Sequence, residues 1–354
     1  MGLNCYMKFS INKSPKVIAG YTNWRKKLIL MLVGGILGIL GVSLVCLNFG
    51  VVSIHPKEIF SLILNISLDK TNSLIIWQLR IPRITMAILT GAALSTVGGA
   101  FQGILRNPLA DPYILGVSAG AALGACIGIA LQYTTGYYLA SYLPLFAFTG
   151  AMFSLYLVYM SSKISYTLAS TGLLLAGVAI NFLFSALITV LLALSKRELH
   201  SMIFWLMGDL STANWNKITI ITIPVIVGCL FLFSSSLDLN ALSLGEEEAL
   251  HLGVNTGKLR MRIFIIGSII IASIVSFTGL IGFVGLVVPH IARLLVGPDH
   301  RVMLPISALF GAIFLILCDT FARIIIAPTE IPIGAVTAIV GAPLFIYLLQ
   351  RRNV

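Results

Sequence analysis

The chain has 354 residues, of which 58% are hydrophobic and only 10% charged, with a mean hydropathy of +1.02. That excludes an ordinary soluble domain, which carries roughly a quarter charged residues. A net charge of +11 does not point to nucleic acid either, because the basic residues stand at the ends of apolar runs, as they do in membrane proteins.

Residues 1–27 are polar and basic and are expected to form a cytoplasmic tail. The first apolar run, Leu28–Phe49, follows Arg25-Lys26-Lys27. It is too long for a signal-peptide core and no small-x-small cleavage pattern follows, so a retained helix is expected. Residues 50–83 are mixed, with Lys57, Glu58, Asp69, Lys70, Arg80 and Arg83, and read as an external connection.

Next come Arg-Ile-Pro-Arg (80–83), the run Ile84–Leu105, the hairpin RNPLADP and the run Tyr113–Leu131. Each run suffices for the ~20 residues of a spanning helix. The hairpin, with two prolines and two opposite charges, cannot lie in lipid. Glycines 116, 120, 124 and 128 recur once per turn, so a second helix is expected to meet this face backbone to backbone.

Leu143–Ser161 and Thr171–Leu194 are the fourth and fifth expected spans. The polar stretch Ser195–Lys217 holds MIFWLMGDL (202–210), expected to be a short interfacial helix. Ile218–Phe233 is the sixth span, Ser234–Arg262 a long polar connection, and Ile263–Thr278, Ile281–Val296, Leu304–Ile326 and Ile333–Leu349 the remaining four. Gly279, Gly282 and Gly285 make the seventh-to-eighth connection short. Ten spans put both termini on one side. Placing them inside gives fifteen Lys and Arg inside against eight outside, which favours cytoplasmic ends. One membrane domain over 28–350 is therefore expected, with a short tail at 351–354.

Arg80 and Arg83 precede the second span, and Arg323 lies near the outer end of the ninth, one turn after Asp319, with which it can pair at i, i+4. Two readings stand for these arginines: they snorkel to headgroups, or they form a basic docking surface for an acidic partner. In Ser234–Arg262, Leu242, Leu244, Leu250, Leu252 and Val254 interleave with Glu246-Glu247-Glu248, and Gly245 and Gly253 bracket a short helical segment. This is either a surface loop or a docking element for a cytoplasmic protein. GVNTGKL (253–259) has the wrong glycine spacing for a phosphate loop, and Leu259 where Ser or Thr is required.

An ion-coupled carrier would more often bury a carboxylate in mid-span. Asp319, His290 and Arg293 lie near predicted span ends instead. His290 and His300 have no third ligand at metal spacing, and are expected to be hydrogen-bonded structural residues. Cys5, Cys46, Cys126, Cys229 and Cys318 are scattered and read as packing residues. No metal site, cofactor or catalytic constellation is expected, so the chain does not read as an enzyme.

The blocks WQLRIPR (77–83), QGILRNPLADPYILGVSAGA (102–121), LLLAGVAI (173–180), LSLGEEEALHLG (242–253), GFVGLVVPHIARLLVGPDHR (282–301) and EIPIGAVTAIVGAPLFIYLL (330–349) resemble the FecCD permeases. These are the membrane subunits of binding-protein-dependent ABC importers for ferric siderophores, haem and cobalamin. The resemblance runs in unbroken order over about 28–350. It implies an all-α polytopic membrane protein with ten transmembrane helices and the type II importer architecture. It also implies a location in the cytoplasmic membrane, a second permease subunit (a copy or close paralogue), two cytoplasmic ABC ATPase subunits and an extracytoplasmic binding protein.

By the same resemblance, Leu244, Gly245, Glu246, Glu247, Leu252 and Gly253 belong to the helix that couples to the ATPase. Arg80, Arg83 and Arg323 receive acidic residues of the binding protein. Ser170 and Thr171 narrow the cytoplasmic end of the pathway, although Gly172 departs from the basic residue expected beside them. No residue names the cargo. An iron–siderophore complex is the expectation, haem and cobalamin the alternatives, and an ion-coupled secondary carrier the rival class.

Overall fold

The computed structural model describes residues 15–50, 70–135, 140–164 and 170–351, and every regular element among them is helical. In lipid each backbone N–H and C=O must find its partner within the protein, and an apolar helix does this alone. The helices are α1 (Pro15–Asn48), α2 (Lys70–Leu74), α3 (Ile81–Ile104), α4 (Val117–Thr135), α5 (Leu143–Ile164), α6 (Ser170–Leu194) and α7 (Leu199–Leu206). They continue with α8 (Trp215–Ser234), α9 (Ser236–Leu244), α10 (Glu246–His251), α11 (Thr256–Thr278), α12 (Val284–Val296), α13 (His300–Ile324) and α14 (Ile333–Arg351). Asn214, Asn255 and Asp299 cap α8, α11 and α13, their side chains accepting from the amides of Lys217, Lys258 and Arg301. The GVNTGKL segment is thus a helix start rather than a phosphate loop.

α3 is the axis of the bundle and is buried along most of its length. It meets α13 at Gly91 and α12 at Gly98 backbone to backbone. A Cβ on Gly91 would overlap the Gly311 carbonyl, and one on Gly98 the Gly285 carbonyl. Ser95 Oγ donates to the Ser307 carbonyl at 2.8 Å, and Ser307 Oγ returns a bond to the Ser95 carbonyl at 3.3 Å. The glycine stripe of α4 seats α5 as expected: Cβ atoms on Gly120 and Gly124 would overlap the carbonyls of Gly150 and Phe146.

Several boundaries differ from the sequence reading. α1 begins at Pro15, a favoured first-turn residue, so the expected tail is helical from there. The connection before α3 is helical from Lys70, and a π-helical turn, Ile75–Arg80, leads straight into α3. Among the described residues eight helices are long and apolar enough to cross a membrane, and two more apolar helices, Val284–Val296 and Ile333–Leu348, are shorter. α12 starts late because Gly279 and Phe283 both take positive φ, +66° each, and turn the chain back before it. The expected interfacial helix is α7, ended by Gly208 at φ +76°.

Candidate functional site: two ends of one bundle

Arg80, Arg83 and Arg323 come from the π turn, the first turn of α3 and the last turn of α13, and line one pocket of about 280 Å³ with Glu330 and Gly50. None of them snorkels: they are 5%, 9% and 5% exposed. Arg83 Nε bonds both oxygens of buried Asp319, at 2.9 and 3.1 Å, and its NH1 bonds Glu330 at 3.0 Å. Arg323 Nε pairs with Asp319 at 3.2 Å, one turn away, as its spacing implied, and its NH1 donates to the Phe49 carbonyl at 3.2 Å. Arg80 donates to the Leu47 carbonyl, and Gly50 leaves room for its guanidinium. Arg83 and Arg323 thus share Asp319 and Arg83 also holds Glu330, while Arg80 brings a third guanidinium to the same pocket, so its cations exceed these two carboxylates by one. Only the Asp319–Arg323 pair was visible in the sequence.

At the other end, α9 and α10 meet at Gly245, whose φ of +148° would strain any residue with a side chain. Leu244, Leu250 and Leu252 stand 66%, 58% and 64% exposed among Glu246, Glu247 and Glu248. Glu246 is also a brace: it pairs with Arg260 of α11, whose Nε reaches the Ile104 carbonyl at the end of α3, at 3.3 Å. Gly253 ends the element at φ +83°.

Asn240 of α9 bonds Asp299 at 2.6 Å and His300 Nδ1 at 2.8 Å. The hydrogen bonds and charge of Arg301, with Asn240, hold the Asp299 carboxyl down at about 2. His300 is thus a hydrogen-bonded structural residue, as expected, but Asn240 and Asp299 had no local signal.

Between the ends lies a cavity of about 510 Å³ lined by Tyr113, Ser118, Asn181, Ser185 and Thr189 among apolar residues. Its walls are small or neutral, and Ser118 Oγ has no hydrogen-bond partner among the described residues. Ser170 and Thr171 begin α6; their side chains lie outside the described residues. Among the described residues there is no cluster of His, Cys, Asp and Glu fit to hold a metal ion.

An all-helical bundle with a buried basic pocket at one end, an exposed leucine and glutamate element at the other, and a neutral cavity between is a membrane permease. The chain belongs to the FecCD transport family, whose model matches residues 38–351. It is 42% identical over 292 residues to the cobalamin import system permease protein BtuC of Halobacterium salinarum, covering 82% of this chain and 77% of that one. It is 34% identical over 337 residues to the iron(3+)-hydroxamate import system permease protein FhuG of Bacillus subtilis, covering 94% of this chain and 99% of that one. A solved structure described as an inward-facing metal-chelate type ABC transporter matches with a TM-score of 0.81 at 36% identity, over 90% of this chain and 98% of that one.

Proposed function

We propose that the chain is the permease subunit of a binding-protein-dependent ABC importer in the cytoplasmic membrane, and that its cargo is an iron–siderophore complex. The observation that carries this reading is the arginine pocket and the exposed Leu244–Gly253 element standing at opposite ends of α3 and α13. The arginine pocket faces an acidic binding protein outside, whose carboxylates exchange with Asp319 and Glu330 for the same guanidinium groups. Leu244–Gly253 faces the ATPase inside, offering exposed leucines around a glutamate turn. Energy comes from ATP bound to the partner, so the chain needs no catalytic group of its own. Residues 28–350 form the membrane domain, with both ends cytoplasmic, 234–262 as its coupling loop, and α12 and α14 completing ten spanning helices. Two such subunits enclose the pathway, and Ser170 and Thr171 close its inner end.

The near full-length likeness to a hydroxamate permease supports the siderophore cargo. The higher identity to a cobalamin permease supports cobalamin as the second reading. Vesicles containing the permease, its ATPase and its binding protein test both parts. Wild type is expected to take up iron–siderophore with ATP, and Leu250→Glu to lose uptake and ATPase co-purification together while its melting temperature holds. Glu246→Arg is a poorer test, because it also breaks the brace to Arg260. Uptake of labelled cobalamin in place of the siderophore decides for the second reading, and ATP-independent uptake overturns the importer.

A further inference from the structure

A second concavity, larger than the central one, lies on the flank of the bundle at the Arg83 end. It holds about 760 Å³, and Ser201, Asp209, Asn214 and Lys217 stand in its walls. Its level in the membrane is marked by tryptophan: Trp215, two residues before Lys217, donates from Nε1 to the Trp77 carbonyl at 3.0 Å, and both rings are partly exposed. Paired tryptophans at a bundle end belong to the headgroup layer.

The polar cavity does not end there. Ser141, Pro144, Ile220, Ser276 and Phe277 also line a second cavity of about 390 Å³, which adds Leu145, Phe148 and Pro224. Pro224 in turn lines a third, of about 320 Å³, with Val227, Ile266 and Ile270. Residue numbers rise along α8 and fall along α11 from one cavity to the next, so the three make one groove between these antiparallel helices, with α5 as its upper wall. Pro224 has no N–H to give the Ile220 carbonyl, four residues back, which interrupts the helical ladder at the groove. From Lys217 to Phe231 the groove runs ~21 Å at 1.5 Å per residue, enough to cross the ~15 Å of hydrocarbon in one leaflet.

We infer that this groove is a binding site for a membrane phospholipid with an amine-bearing, zwitterionic headgroup. Lys217 Nζ spends one donor on the Thr212 carbonyl at 2.8 Å and keeps others for a phosphate. Asp209 takes the Ser211 amide and hydroxyl, both at 2.6 Å, and keeps acceptor positions for an ammonium. One cation and one carboxylate in a single mouth match a headgroup carrying both charges better than an anionic one. One acyl chain lies along Ile220, Pro224 and Val227. A fixed lipid here wedges α5 from α8 and fills a gap the protein leaves open.

The test is native mass spectrometry of the full-length permease released from vesicles of phosphatidylethanolamine, phosphatidylcholine and phosphatidylglycerol in equal amounts. Wild type is expected to retain one phosphatidylethanolamine per chain. Retention should fall about tenfold in Lys217→Gln, the loss of one charge-assisted contact, and likewise in Ile220→Trp, which fills the groove from a position 60% exposed. Ile226→Trp, exposed on α8 but outside the groove, should retain lipid as wild type does. If Lys217→Gln does not fold, Ile220→Trp against Ile226→Trp carries the test. Equal retention by all variants, preference for phosphatidylglycerol, or loss of binding-protein affinity in Ile220→Trp with lipid unchanged would each overturn the assignment.

Discussion

Asn240 holds His300 twice: its side-chain oxygen accepts from the His300 backbone amide at 2.9 Å and from the ring Nδ1 at 2.8 Å. Its amide donates to Asp299, so the oxygen is the acceptor and Nδ1 carries the proton. One side chain thereby fastens α9, which leads into the exposed element, to the start of α13. Asn240→Ala removes these bonds and is expected to cost about 1–3 kcal/mol, since one partner is charged. A melting curve of the purified protein checks this. Asn240→Ala should also uncouple uptake from ATP hydrolysis while the ATPase still co-purifies, because the Leu250 surface is untouched.

Asp319 is 1% exposed and shared by Arg83 and Arg323. Removing one member of a buried pair costs about 3–5 kcal/mol, and Arg83→Ala should fall at the low end because Arg323 stays. Asp319→Asn should cost more than Arg83→Ala, since it takes the carboxylate partner from Arg323 and leaves Arg83 with Glu330 alone. The double variant should be less damaged than the sum of the two, which a double-mutant cycle on thermal stability reads directly.

Gly91→Ala should abolish folding, as its methyl would strike the Gly311 carbonyl. Gly34→Ala, in α1 with nothing within 4 Å of its Cβ position, should be neutral or gain up to about 1 kcal/mol. Yield of monodisperse protein separates the two.

The Asp299 carboxyl titrates at about 2, below its unfolded value of ~3.9. A depressed acid stabilises the fold above the unfolded value and loses that contribution as pH falls through the folded one. Melting temperature should therefore drop between about pH 4 and pH 2, and Asp299→Asn should flatten that limb of the curve.

What the sequence made legible was local. The Asp319–Arg323 pair stands as read, and the glycine stripe holds at Gly120 and Gly124, but Gly116 lies before α4 at φ +83° and Gly128 faces the Phe146 ring. Arg83 with Asp319, and Asn240 with His300, join residues that no period relates, since packing rather than spacing brings them together. Hydropathy located the apolar helices but misjudged their length: Ile281–Gly282 looks like the start of a span, yet the left-handed Phe283 keeps the chain out of helix until Val284. Glu246 was legible as part of the coupling segment, but its bond to Arg260 of α11 is made by packing and had no local signal.

The contacts that join α3 to its neighbours fix more than distance. Arg83, Gly91, Ser95 and Gly98 each meet a different partner, Asp319, Gly311, Ser307 and Gly285. Inserting a single residue after Arg83 would swing everything beyond it by about 100°, turning side chains toward the carbonyls that now face glycine. The helix between these four positions does not tolerate a change of count, so an inserted or deleted residue is expected to be accepted only in the connections.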